Sequence, residues 1–213
     1  MYETREAAGE VLAEAVAALD LTDPVVFALP RGGVPVALPV AKVLGAPLDL
    51  MLVRKIGLPM QPELAAGALV DGPPEHIVWN EFVLSASGLS EADLQDIVIE
   101  ERAKNADRRR LWLKGRAPID VTGRSAVVVD DGIATGATMK AALKGLRERG
   151  PKEIVLAVPV AAADTLEEMR TLAEYVVCPL VPDYFRAVGL HYRKFGQVAD
   201  DEVAAMMAAQ NKE

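Results

Sequence analysis

Hydrophobic positions in this chain switch between two periods. Residues 4 to 19 place Ala7, Val11, Leu12, Ala15 and Leu19 on one side of a helix. Asp23-Pro24 breaks that pattern, and Val25 to Leu29 follows as a short apolar strand. Gly32 and Gly33 open a second helix that runs to about Leu44 and stops at Gly45. Pro35 fits its first turn, whereas Pro39 predicts a kink. Leu48 to Val53 reads as the next strand, and Lys55 to Gly67, with Gly57, Pro59 and Pro62, as a loop. Ala68 to Val70 and His76 to Trp79 predict a small hairpin around Asp71-Gly72-Pro73-Pro74. A helical insertion over about 80–115 comes next. Ser90-Glu91-Ala92-Asp93 forms a capping box there, Leu89 and Leu94 a staple, and an amphipathic helix of roughly 30 Å reaches about Leu113. Strands near 124–129, 154–159 and 175–178 then alternate with helices near 137–149 and 163–173. Alternation of this kind predicts an α/β fold, a parallel sheet with helices on both faces.

Composition narrows the classes of function. The 213 residues fit a single domain over 1–213, and 51% hydrophobic residues supply a core of ordinary size. A net charge of −8 argues against a nucleic-acid surface, which needs a basic face. The one cluster of basic residues, Arg108-Arg109-Arg110, reads as part of a solvated helix. Cys178 is the single cysteine, so no internal disulfide forms, and its apolar neighbours Val176, Val177 and Leu180 suggest an inert thiol. The first residues lack the apolar run of a signal peptide, and no stretch approaches the ~20 apolar residues of a membrane span. The expectation is a cytoplasmic protein without a membrane partner. His76 and His191 have no ligand-spaced partners, so neither is assigned to a metal.

The densest chemistry lies in Val127-Val128-Val129-Asp130-Asp131-Gly132-Ile133-Ala134-Thr135-Gly136-Ala137-Thr138. Three β-branched residues end a buried strand, two acids follow, and a loop of small residues leads into a helix. Amides at a helix start lack intrahelical partners and face whatever anion occupies the loop. Small residues let a phosphate approach that backbone, and the Thr135 and Thr138 hydroxyls add donors. Asp130 and Asp131 would repel a phosphate but accept the two hydroxyls of a neighbouring diol well. A phosphate cradle beside a diol clamp suits a ribose 5-phosphate.

This string resembles the signature of the type I phosphoribosyltransferases, which use phosphoribosyl pyrophosphate (PRPP). The resemblance implies a Rossmann-like parallel sheet flanked by helices, with the helical insertion at 80–115 and a small hood at about 179–199. It implies that Asp130 and Asp131 hold the ribose hydroxyls and a Mg²⁺ ion bound mostly through substrate and water. It assigns Gly132, Ile133, Ala134, Thr135, Gly136, Ala137 and Thr138 to the 5-phosphate. Pro30-Arg31-Gly32-Gly33, at the end of the first strand, resembles the family's pyrophosphate loop; Arg31 offers a cationic fork and Gly32 and Gly33 offer amides. Arg54 and Lys55 precede a segment where the family has a mobile loop, so Arg54 would contact pyrophosphate and Lys55 would act in catalysis. Glu63 reads as an ordinary surface residue.

The segment from Pro182 to Tyr192 is similar to the hood of hypoxanthine-guanine phosphoribosyltransferases, where an aromatic ring stacks on the base. Tyr184 or Phe185 would fill that role, worth about 1–3 kcal/mol, whereas Tyr192 and Phe195 read as packing residues. Two departures weigh against a 6-oxopurine. The acid that such enzymes carry three residues after the pair is Ala134 here, and Val160-Ala161-Ala162-Ala163 lacks their lysine. The resemblance implies transfer of the 5-phosphoribosyl group of PRPP to a nitrogenous base, with release of pyrophosphate, and a possible homodimer. Two other readings stand beside it: a non-catalytic PRPP-binding regulator, and a PRPP synthase, for which no Walker-type string is present.

Overall fold

The computed structural model describes residues 1–210. At its centre lie the strands β1 (Val25–Ala28), β2 (Leu48–Leu50), β6 (Ser125–Val129), β7 (Glu153–Ala157) and β8 (Tyr175–Val177). They form one sheet in the order β2-β1-β6-β7-β8, all parallel. Strand side chains alternate between two cores. Val26, Ala28, Val127 and Val129 face α1 (Arg5–Ala17) and α2 (Gly33–Leu44), while Val25, Phe27, Ala126 and Val128 face α5 (Ala137–Arg147) and α6 (Ala163–Met169). Helices therefore cover both faces, as the strand–helix alternation predicts.

Two helices meet unusually closely at one glycine. A Cβ on Gly9 would stand 2.5 Å from the Val36 carbonyl oxygen and 3.0 Å from Pro39 Cγ. Only glycine allows α1 to lie this deep on α2. Pro39 is accommodated inside α2, which continues unbroken to Leu44 and ends on left-handed Gly45.

The segment 55–67 is not a loop. β3 (Val53–Leu58) pairs antiparallel with β4 (Gln61–Val70), which pairs in turn with β5 (His76–Trp79) as a separate three-stranded sheet. Glycine and proline there mark an irregularity within strands. The register shifts at Gly57, where a Cβ would lie 2.4 Å from the Pro62 carbonyl oxygen. The predicted strand at 68–70 is only the last part of β4.

α3 (Glu81–Ser87) and α4 (Gln95–Leu113) complete this annex around Ile56, Leu69, Leu94 and Val98. The Ser90–Asp93 capping box forms, but it closes a 3₁₀ turn over Glu91–Leu94 ahead of α4. The solvated reading of Arg108-Arg109-Arg110 needs correction at Arg109. Its guanidinium donates to both carboxylate oxygens of Asp49, each at 3.0 Å, and to Asp71 at 2.6 Å. Asp49 is 1% exposed on edge strand β2, so this ion pair ties α4 to the main sheet. Arg110 is exposed and pairs with Asp107.

The sequence pattern does not announce the C-terminal helix, α7 (Asp200–Ala209). Its signal is short: acids at 200–202, then Val203 and Met207 buried four residues apart. No helix among the described residues is long and apolar enough to cross a membrane.

Candidate active site

In an open parallel sheet, ligands bind beyond the carboxyl ends of the strands where the strand order reverses. Here chain order runs outward from β1 in one direction to β2 and in the other to β6, so the reversal lies between β1 and β6. Those strands are direct neighbours, with Ala28 opposite Val129. The turn after β1 carries Arg31, Gly32 and Gly33; the turn after β6 carries Asp130 and Asp131.

The two turns touch. A Cβ on Gly32 would fall 2.0 Å from Asp131 Oδ2, and one on Gly33 would fall 3.0 Å from Asp130 Cα. A side chain at Gly33 would push the turns apart, and one at Gly32 would displace the Asp131 carboxylate. The Pro30–Arg31 peptide is cis. The Gly33 N–H donates to Leu29 O at 3.0 Å, which leaves the Arg31 and Gly32 amides, among the described residues, for a ligand.

The second turn curls into α5. The Ile133 N–H donates to Val160 O at 3.0 Å, and the Thr165 hydroxyl donates to Ala134 O at 2.6 Å, so both sides of the loop are pinned. Gly136 adopts a left-handed φ of 71° just before the helix. The amides of Ala134, Thr135, Gly136, Ala137 and Thr138 have no backbone acceptor among the described residues. They line a cleft of about 190 Å³ together with Asp130 and Val188. That is the layout of an anion site at a helix start.

The acid pair is electrostatically loaded. Burial and the neighbouring Asp131 charge push Asp130 well above the ordinary aspartate range. Burial also raises Asp131, against the pull of Arg5. Arg5 Nε lies 2.7 Å from Asp131 Oδ2, and the arginine sits 3.9 Å over the Phe195 ring and donates to Gly196 O at 2.8 Å. The Tyr192 hydroxyl donates to Asp131 O at 2.6 Å, and burial raises its pKa.

Each acid keeps one oxygen outside these contacts. Asp130 Oδ1 accepts the Asp131 N–H at 2.8 Å, and Asp131 Oδ2 accepts from Arg5. No group of three or more His, Cys, Asp or Glu that could hold a metal lies among the described residues. The two carboxylate oxygens left outside these contacts are hard donors of the kind a divalent ion accepts, and too few to hold one without further ligands.

Arg31 reaches Asp200 at the start of α7, 3.6 Å away. Arg54 is tied to Glu101 of α4 at 2.6 Å, and Lys55 to Glu63 across the β3–β4 hairpin at 2.9 Å. Arg54 and Lys55 thus stand on strand β3 of the annex. Phe185 stacks on His191 with ring centroids 5.5 Å apart, and it packs against the cluster of Ala8, Val160 and Tyr192. Tyr184 is 91% exposed. Tyr192 is buried, in line with a packing role, and Phe195 serves as the platform for Arg5. The Cys178 thiol is half-buried and raised to about 11 by burial, which suits an inert residue.

Arg5 is the site residue that the sequence does not flag. A cation in the first turn of a helix opposes the macrodipole, and that misplacement is its only signal.

The crevice thus sets an acid pair between two small-residue turns at the carboxyl ends of β1 and β6. A family model described as phosphoribosyl transferase domain matches residues 2–193, and the chain belongs to that family. A protein of Mycobacterium tuberculosis named "Putative phosphoribosyl transferase" is 44% identical over 207 residues, 97% of this chain and 46% of that protein. The chain thus spans about half the length of the curated relatives it matches first. A crystal structure of the protein TT1426 from Thermus thermophilus superposes with a TM-score of 0.85 at 40% identity, covering 98% of both chains. A uracil phosphoribosyltransferase of Kineococcus radiotolerans is 41% identical over 56 residues, 26% of each chain.

Proposed function

We propose that this protein transfers the 5-phosphoribosyl group of PRPP to a nitrogenous base and releases pyrophosphate. The observation that carries the reading is the contact between the turns after β1 and β6, with the acid pair between them. In this reading the amides of Ala134 to Thr138, with the Thr135 and Thr138 hydroxyls, hold the 5-phosphate. The free oxygens of Asp130 and Asp131 accept the ribose hydroxyls. Arg31 and the Arg31 and Gly32 amides hold the pyrophosphate. A nitrogen of the acceptor forms its bond to C1 as the bond from C1 to the pyrophosphate oxygen breaks. Positive charge grows on the ring in that transition state, and the carboxyl groups of Asp130 and Asp131 would stabilise it. Bound Mg²⁺ would neutralise diphosphate charge, with Asp130 and Asp131 as its protein ligands.

Arg5 acts here as a positioning residue, since its Nε holds the Asp131 carboxylate while its Nη1 is anchored on the Gly196 carbonyl. The acceptor would enter beside Val188 under the hood, where Phe185 offers a ring face. Lys55 lies on a hairpin that would close over the diphosphate. A reducing cytoplasmic setting suits the single raised thiol.

The test is pyrophosphate release from PRPP and Mg²⁺ across a panel of purines, pyrimidines and related bases. Turnover with one of them is the expected result. Saturable PRPP binding without turnover on any base would instead favour a regulatory binder, and PRPP formation from ribose 5-phosphate and ATP would establish a synthase.

A further inference from the structure

Helix α4 of the annex has no assigned part in the site, yet it presents two groups to it. Asn105 is 4% exposed, and both its amide nitrogen and its carbonyl oxygen lack a hydrogen-bond partner among the described residues. Leaving a buried amide unpaired costs stability, so such a group calls for a partner. Asn105 lines a cavity of about 30 Å³ together with Arg108, Leu29, Pro30, Val53 and Thr138. Pro30 belongs to the turn after β1 and Thr138 to the loop after β6, so the cavity sits between both candidate phosphate loops. It has room for one or two waters.

Arg108 stands one helical turn on from Asn105, on the same side of α4. Its guanidinium lies 5.5 Å from the Trp112 ring centroid and has no ion pair among the described residues. The cations within its electrostatic reach are Arg54 and Arg31; the anions are Asp200 and Glu101. Glu101 already serves Arg54 at 2.6 Å, and Asp200 serves Arg31. Arg108, which lines the cavity beside Pro30, thus feels the charges of Arg31 and Arg54 in a chain whose net charge is −8, and of the three it is the one without an ion pair among the described residues.

We propose that α4 forms a third wall of the pyrophosphate subsite. Arg108 completes a trio of cations around the diphosphate of PRPP, and the Asn105 amide bonds to a diphosphate oxygen directly or through one water. The inference rests on the PRPP reading above and extends it to residues outside the family's motifs. Arginine suits this task because its planar fork meets phosphate oxygens at two points.

The experiment is calorimetric titration of the full chain, in the presence of Mg²⁺, with PRPP, pyrophosphate and ribose 5-phosphate. Arg108→Gln should weaken pyrophosphate and PRPP binding about tenfold, the loss of one charge-assisted contact, with ribose 5-phosphate unchanged within about twofold. Arg108→Lys should recover part of the loss. Asn105→Leu should raise the urea midpoint, because it removes an unpaired buried amide, and yet weaken pyrophosphate about fivefold. Arg110→Gln, on the same helix and paired with Asp107, is the control and should change nothing. If wild type binds PRPP but Arg108→Gln and Asn105→Leu both bind pyrophosphate within about twofold of it, the third wall is refuted and the PRPP reading stands. If wild type binds neither PRPP nor pyrophosphate, both fall together.

Discussion

In the crevice between β1 and β6, charge is placed by main-chain amides and by short aspartates fixed to strand ends. In the annex of β3, β4, β5, α3 and α4, charge sits at the tips of long side chains, and apart from Arg108 the basic ones facing β3 and β5 are tied down by other long side chains: Arg54 to Glu101, Lys55 to Glu63, Arg102 to Glu75. The first arrangement is rigid before any ligand arrives, so its geometry contributes directly to affinity. The second has to exchange protein partners for a ligand, so each contact nets less. The difference teaches where the binding energy of this protein should lie, and the following substitutions bear on it.

The largest effect should fall on the joint between the two regions. Arg109 is the half-buried partner of the almost fully buried Asp49 and of Asp71. Arg109→Met would leave Asp71 without its ion-pair partner and Asp49 with only Arg116, 3.7 Å away, and should destabilise the fold by about 3 kcal/mol, read from urea unfolding. A loss under about 1 kcal/mol would mean that the annex is held by its apolar cluster alone.

Next comes the acid pair. Asp131→Asn should weaken PRPP binding by roughly 10- to 100-fold, the value of a charge-assisted hydrogen bond to a hydroxyl. Thr138→Val should weaken it by a smaller factor, about fivefold, since one neutral donor is lost. Unchanged affinity in both would separate the crevice from PRPP altogether.

The pH dependence sharpens the contrast, because Asp130 and Asp131 are both raised. A raised acid holds its proton more tightly folded than unfolded. The stability this gives is complete below the unfolded aspartate value, about 3.9, and is lost as pH rises through the higher folded value. The ionised form of the pair is therefore the less favourable one in the free protein, and in the PRPP reading a bound cation and sugar would favour it. On acidification, wild type should gain stability relative to Asp130→Asn while its PRPP affinity falls, beginning above the ordinary aspartate range. A wild type that tracks Asp130→Asn across that range would contradict this.

The smallest effects belong to the exposed start of α7 and to the aromatic residues of the C-terminal segment. Asp200→Asn, at an exposed pair with Arg31, should tighten pyrophosphate binding about twofold by freeing the arginine. Tyr184→Ala should leave PRPP affinity unchanged. Phe185→Ala should raise the acceptor KM with little change in PRPP affinity.

The same contrast explains what is legible in the chain. Val127 to Thr138 announces strand, acids and loop in consecutive residues, because a strand–turn–helix site is a local object. Arg31-Gly32-Gly33 is legible for the same reason. The contact between the two turns can only be expected, since it depends on β1 lying beside β6, about a hundred residues away. Arg5 and Arg109 escape sequence reading because their partners, Asp131, Asp49 and Asp71, are distant in sequence; nothing local distinguishes a pinned arginine from a solvated one. Segment 55–67 reads as a loop because glycine and proline report an irregular strand and a turn in the same way. Helix α7 stays hidden because its apolar stripe is only two buried side chains deep.

The central claim is best tested by a crystal structure of the protein soaked with PRPP and Mg²⁺. The 5-phosphate should lie on the amides of Ala134 to Thr138, the ribose hydroxyls on Asp130 and Asp131, and the diphosphate on Arg31 and Gly32. A sugar diphosphate bound elsewhere, with the crevice between β1 and β6 holding only solvent, would contradict the account.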